Sequence, residues 1–365
     1  MRAAVLEAVG QPLQVQDIDV AAPGPGEARV RVVACGLCHS DYSCMHGILR
    51  TPFPAVLGHE MGGVVEAVGP GVTHLAVGDH VVAVLTPSCG DCEFCLEEKP
   101  YLCAGSVTMM VGSAMLDGTT RLRRGTETVY QVCGVGGFAE QAVVPAGALV
   151  KVDRDVPLEV ICVLGCGVLT GVGAAINTAQ VKPDTTVAVL GCGGVGLAVI
   201  QGARIAGARQ IIAIDPVAGR REIALKVGAT HELDPAAGDA VKAVRKMAPG
   251  GVHYAFEAIG RADTVAQAFS MTRASGAAIV VGAAKPSEEI SIRAGGFLQN
   301  KSLVGTLLGS SVPHRDLPRL VQWYKDGRLM LDEMVTHRIP LARVNDAFEL
   351  MRTGGGARAV VTMEK

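Results

Sequence analysis

The hexapeptide Gly191-Cys192-Gly193-Gly194-Val195-Gly196 constrains this chain more than any other segment. It fits G-x-G-x-x-G, follows an apolar run at 186–190 that reads as a strand, and opens a helical stretch at 194–207. Asp215 closes the next apolar run, 19 residues beyond Gly196. In that context the first glycine permits a tight turn. Gly193 lets the backbone approach a pyrophosphate, and Gly196 lets helix and strand pack closely. The helix N-terminus, with Gly194 and Val195 in its first turn, adds amide donors and partial positive charge. Asp215 should accept hydrogen bonds from an adenosine ribose and repel a 2′-phosphate, which favours NAD over NADP. Arg220 and Arg221 follow closely. They read equally as groups that soften this preference, Arg220 first, or as a solvated helix face.

The alternation continues with a strand at 210–215, a helix at 220–227, a strand at 253–258, a helix at 263–272 and a strand at 277–282. This is the rhythm of an α/β, doubly wound parallel Rossmann sheet. Before about residue 152 the pattern differs: short β-like runs at 29–34, 63–68, 80–85 and 141–144, broken by Gly and Pro. After about residue 310, helices at 313–326 and 342–352 lead to a last strand at 358–363. A chain of 365 residues exceeds one typical core. The expected organisation is a discontinuous, mostly β domain over 1–167 and 311–365 around an NAD-binding domain over 168–310.

A formal charge of −2 without a basic run gives no footing for nucleic acid or a membrane surface. The uncharged stretch 160–181 is long enough to span a bilayer. It holds Gly165, Gly167, Gly171, Gly173, Asn177 and Gln180, so it reads as a buried helix. Glu7 and Asp17 come too early for a signal peptide's apolar core, and the cytoplasm is the expected location. Eleven cysteines in a reducing compartment point to metal or redox chemistry rather than disulfides.

Their spacing is informative. Cys89-x2-Cys92-x2-Cys95-x7-Cys103 sets four thiols on one loop, a pattern suited to a tetrahedral zinc with no open position and therefore a structural role. An iron–sulfur cluster and simple thiol redox activity are the alternatives. Cys35, Cys44, Cys162 and Cys192 read as packing residues.

Three further segments have dull readings singly: Cys38-His39-Ser40-Asp41, Gly58-His59-Glu60-Met61-Gly62-Gly63 and Leu164-Gly165-Cys166-Gly167. Together with the cysteine loop and the glycine fingerprint, they resemble the zinc-dependent medium-chain alcohol dehydrogenases over nearly the whole chain. The pattern Gly58-His59-Glu60-x2-Gly63-x5-Gly69-x2-Val72 matches that family's zinc signature. The segment 116–121 resembles the long loop of the dimeric branch that includes the formaldehyde dehydrogenases.

The resemblance implies a GroES-like catalytic domain, two zinc ions per chain and a homodimer, with a tetramer as the alternative. It implies that Cys38, His59 and Cys166 hold the catalytic zinc, an arrangement for which alcohol dehydrogenase is itself the reference example. Such a zinc would lower the alcohol's pKa for hydride transfer to NAD, giving an aldehyde, reversibly. By the same resemblance Ser40 passes on the alcohol's proton, Asp41 orients His59, and Glu60 tunes the metal from behind. His39 and Arg358 would approach the cofactor phosphates.

The chain departs from its relatives in several places. Ser43 stands where many carry a histidine that ends the proton relay, and His46 reads equally as its substitute or as a solvated side chain. Val107 and Leu49 replace the arginine and the acid of the glutathione-dependent enzymes. The implied substrate pocket (Ser40, Leu49, Leu85, Val132, Cys133, Ala283) is uncharged. It favours medium-chain, aromatic or terpenoid primary alcohols over ethanol. The rival readings are a thiol-dependent formaldehyde dehydrogenase and a non-catalytic, metal-stabilised NAD-binding protein.

Overall fold

The computed structural model describes residues 1–363 and divides into two compact units. One comprises Met1–Cys166, Val312–Gly327 and the chain from Val335 onward; the other comprises Gly167–Ser311 and Arg328–Met334. The tail therefore does not lie wholly in the first unit, as the sequence suggested. Arg328–Met334 joins the second because Gln201 grips it. The Gln201 amide donates to the Met330 carbonyl at 3.2 Å and accepts the Met330 N–H at 2.7 Å. Leu331 and Met334 are buried.

In the second unit a parallel sheet has the order His231–Leu233, Gln210–Ile214, Thr186–Leu190, Val252–Glu257, Thr272–Val280, Ser302–Gly305. Thr186–Leu190 is buried along its whole length, as a central parallel strand covered on both faces should be. The chain first winds outward through Gln210–Ile214, then returns on the other side of Thr186–Leu190 with Val252–Glu257. The strand order reverses between these two, where open α/β sheets bind ligands beyond the strands' C-terminal ends.

At the opposite end of the same strand pair, His253 is a pH-sensitive tie. Its Nδ1 accepts the Thr186 N–H at 3.1 Å and lies 2.9 Å from Thr186 Oγ1, and the His253 backbone N–H donates to that oxygen. Nδ1 must therefore be bare. Burial, then the charges of Arg273 and Arg209, hold its pKa below the usual 6.5. A base whose folded pKa is depressed withholds a proton that the unfolded chain takes up. Its contribution is thus complete above pH 6.5 and declines as pH falls below it. Melting temperature should fall between pH 7 and pH 5 (about the window set by the unfolded imidazole). His253→Asn, whose carbonyl can still accept from Thr186, should flatten that slope; an unaltered slope would remove His253 as its source.

The first unit is built on the long strand Glu27–Gly36, which pairs with Glu60–Val68, Gln141–Pro145 and Arg358–Thr362. His80–Ala83 and Leu149–Val152 extend the sheet on one side, Val335–Pro340 on the other. A second sheet takes in Arg2–Leu6, Gln14–Asp17, Ala55–Val56 and Glu127–Gln131. Leu6, Val30, Leu37, Leu57, Met61, Phe138 and Leu149 fill the core of this unit without exposure above about a fiftieth of their surface. Gly36 ends the long strand opposite both Glu60 and Val360. That junction sets 37–41, 59–60 and Arg358 side by side.

The stretch 160–181 is not the single buried helix expected from its composition. It is a helix Leu158–Ile161, a 3-10 turn Cys162–Gly165, a helix Gly167–Gly173 and a π turn Ala174–Thr178. The break falls at Cys166, whose backbone (φ −142°, ψ −76°) is not helical. Among the described residues no single helix is long and apolar enough to cross a membrane.

Candidate active site

Cys38 is the N-cap of the helix His39–Met45, with an extended backbone. Asp41, fully buried, accepts the Cys38 N–H at 3.0 Å on one carboxylate oxygen. Its other oxygen accepts the Gly58 N–H at 2.9 Å and stands 3.3 Å from His59 Nδ1. One carboxylate thus fixes two chain segments and the orientation of the imidazole, leaving Nε2 free to act as a ligand. Gly58 cannot be another residue, since at φ +90° its Cβ would come within 2.9 Å of both Phe138 and the Cys35 sulfur. Cys166 arrives from the helix break, where Gly165 lies too close to the Ala83 carbonyl to carry a side chain.

Ligand atoms of Cys38, His59, Glu60 and Cys166 lie within 4.8 Å of one another. A hydrogen bond from Cys166 pulls the Cys38 pKa well below the ordinary thiol range, helped by His59 and Arg358 against the cost of burial. The Cys166 thiol is pushed well above it by that same bond and by burial. A divalent cation is the natural means of ionising both, and two thiolates with one imidazole suit zinc in hardness and charge.

The Glu60 carboxylate occupies space that a side chain on Gly36 would need. Arg358 donates to Glu60 Oε1 and to the Leu37 carbonyl, both at 2.8 Å. Burial opposes its charge, yet Glu60 and the two thiols hold its pKa above the ordinary arginine range. The sequence reading sends Arg358 to the cofactor phosphates. Here its guanidinium is instead used on Glu60 and the Leu37 carbonyl, 6% exposed.

Ser40 Oγ is 3.7 Å from the Cys38 sulfur and partly exposed. His39 is exposed, its ring tilted toward Tyr42 at 5.4 Å. His46 does not turn inward: it is exposed, stacks on Tyr42 at 4.0 Å and bonds the Tyr42 carbonyl through Nδ1. Of the expected pocket residues in this unit, Leu85 and Val132 are buried, while Leu49 and Cys133 are half-buried.

The four thiols of Cys89, Cys92, Cys95 and Cys103 also lie within 4.8 Å of one another. Ligands of one tetrahedral ion with bonds of about 2.3 Å stand roughly 3.8 Å apart, so the cluster has single-ion dimensions. Cys103 caps the helix Ala104–Gly112. Burial opposes its ionisation, but the backbone N–H groups of Cys89 and Ser106 bring its pKa down to about 6.

In the second unit Gly191 has φ +91° and Gly193 caps the helix Gly194–Ile205. A Cβ on Gly196 would strike the Gly191 carbonyl, while one on Gly193 would meet nothing within 4 Å. That open space before a helix N-terminus fits a diphosphate. Asp215 is buried, accepting the Cys192 N–H at 2.8 Å and the Val217 N–H at 2.9 Å. A carboxylate offers about four acceptor sites, so capacity remains for a ribose. Arg220 stands 4.0 Å from it, whereas Arg221 is used on the Asp215 carbonyl and on Glu232.

Residues 24–154 match the alcohol dehydrogenase GroES-like domain and residues 194–326 the zinc-binding dehydrogenase domain. An alcohol dehydrogenase 1 of Trifolium repens is 37% identical over all of this chain and 97% of its own length. The chain belongs to the zinc-dependent medium-chain alcohol dehydrogenase family. A zinc-binding domain alcohol dehydrogenase from Burkholderia ambifaria superposes with a TM-score of 0.96 at 37% identity, covering 100% of this chain and 99% of that one. The benzyl alcohol dehydrogenase of Acinetobacter calcoaceticus gives 0.95 at 33%, with the same coverage.

As a member of that family the chain is an enzyme of alcohol oxidation, acting on small alcohols or aldehydes. Sequence reasoning missed two of the groups that shape its site. Gly36 makes room for Glu60, and the Leu37 carbonyl anchors Arg358. A backbone carbonyl leaves no trace in a sequence, and one glycine among 46 carries no signal.

Proposed function

We propose that this enzyme oxidises apolar primary alcohols, whether medium-chain, aromatic or terpenoid, to aldehydes with NAD. The observation that carries the reading is the convergence of Cys38, His59 and Cys166, oriented by Asp41 and backed by Glu60 and Arg358. Zinc held there supplies Lewis-acid chemistry that lowers an alcohol's pKa, and NAD supplies the hydride acceptor. Asp41 holds His59 in the ligating orientation, Arg358 pairs with Glu60 beside the ligands, and Ser40 conducts the alcohol's proton away. The cysteine loop holds a second, structural zinc. Leu49, Leu85, Val132 and Cys133 bring no charge to the substrate, and the likeness to a benzyl alcohol dehydrogenase supports an apolar preference.

NADH formation should be measured without added thiol along a series from ethanol to hexanol and then with benzyl alcohol. Each buried methylene contributes about 0.8 kcal/mol, or roughly fourfold in kcat/KM, until the pocket fills. A preference for ethanol or for a charged polyol would overturn the substrate reading. Silence without thiol, with activity restored by one, would move the assignment to thiol-adduct oxidation.

The preference for NAD rests on Asp215. Asp215→Gly should raise the NADP-to-NAD ratio of kcat/KM by about tenfold or more, equivalent to ~1.4 kcal/mol, because it removes the repelling charge and frees Arg220. An unmoved ratio would reassign the discrimination to other residues.

A further inference from the structure

Glu257 is a fully buried carboxylate with no part in the proposed alcohol oxidation. It ends the strand Val252–Glu257, paired with Leu190 immediately before the glycine turn. Its Oε1 accepts the N–H groups of Ile259 and Gly260 at 3.0 and 2.8 Å and the Thr264 hydroxyl at 2.7 Å. Its backbone carbonyl accepts the N–H groups of Val281 and Gly282 at 2.8 and 2.9 Å. Its Oε2 has no hydrogen-bond partner among the described residues.

One residue thus ties together both loops on this side of the point where strand order reverses. The loops also touch. A Cβ on Gly260 would come within 2.6 Å of the Ala283 carbonyl. The first loop abuts the fingerprint as well: Ala258 N–H bonds the Leu190 carbonyl at 2.9 Å, and a Cβ on Gly191 would fall 2.7 Å from Ile259. A buried carboxylate carries a large desolvation cost unless its bonds compensate it. Retaining one with an unbonded oxygen calls for a gain elsewhere, and here that gain is the fixed shape of the crevice floor. We infer that Glu257 is a positioning residue for the dinucleotide: it holds 258–261 against the Gly191 turn and 281–283 beside it, so that the cofactor meets a preformed site. This rests on the reading of the second unit as the nicotinamide-cofactor domain.

The test is titration of the holoenzyme with NADH, followed by cofactor fluorescence, together with separate KM values for NAD and alcohol. Glu257→Ala should weaken NADH binding at least tenfold and raise KM for NAD in parallel, leaving KM for alcohol and metal content unchanged. Glu257→Gln keeps an acceptor where Oε1 stands and should restore binding to within threefold of the parent. Thr264→Val removes a single bond to Oε1 and should weaken binding two- to fivefold. It decides the matter if Glu257→Ala does not fold. Parent-like NADH affinity in the folded alanine variant, or in Thr264→Val if the alanine variant is lost, would overturn the role. So would equal losses in the alanine and glutamine variants. Failure of the parent enzyme itself to bind NADH would instead overturn the underlying reading.

Discussion

Cys166→Ala is expected to lower kcat/KM for alcohol oxidation by about four orders of magnitude or more, corresponding to at least ~5.5 kcal/mol of transition-state stabilisation. Bound zinc should fall by one equivalent per chain. Cys166 stands at a helix break, and its sulfur lies within 4.8 Å of the ligand atoms of Cys38 and His59. Cys38 and His59 alone cannot close a three-ligand site. The matched control is Cys103→Ser, which should also remove one equivalent but act first on thermal stability, because its cluster leaves no open position for substrate. Metal analysis beside steady-state rates separates the two. A Cys166→Ala enzyme that kept two zinc ions, or a tenth of its activity, would contradict the assignment of Cys166 as a ligand.

The second large effect belongs to Arg358→Met. Arg358 and Glu60 form an ion pair in which the side chains are 5% and 0% exposed. Removing one partner of such a pair leaves an uncompensated buried charge, at a cost of about 3–5 kcal/mol. The same change releases the Leu37 carbonyl, directly before Cys38, so zinc affinity should fall about 10- to 100-fold, as when a group that orients a ligand is lost. Denaturant unfolding and competition with a chelator read the two losses separately. The double variant Arg358→Met/Glu60→Gln should regain much of the stability, since it removes the stranded carboxylate. If Arg358→Met weakened NADH binding without altering stability, Arg358 would be a phosphate contact, as the sequence reading has it.

The Rossmann half of the molecule was legible because its evidence is local. Strand, glycine turn, helix and acid follow one another within 30 residues, and short-range sterics fix each in turn: Gly196 has no room for a side chain, and Gly193 faces open space. The thiol loop was legible for the same reason, its four members lying within fifteen residues. The stretch 160–181 misled because composition reports burial without reporting continuity. A run of apolar residues and glycines suits one helix or several, and the break at Cys166 is set by packing. The segment Arg328–Met334 misled because its partner, Gln201, is 129 residues away.

The sequence by itself therefore determined the fold class, the glycine turn and the types of ligand available, all of which follow from periodicity, glycine sterics and thiol chemistry over short spans. Only the tertiary structure decided which of those groups meet. It placed Arg358 behind Glu60 across 298 positions, turned His46 to the surface, and gave Asp41 its three neighbours. The physical reason is that sheet register sets these encounters. Gly36 pairs with Glu60 on one side and Val360 on the other, and no residue carries that register in its own side chain.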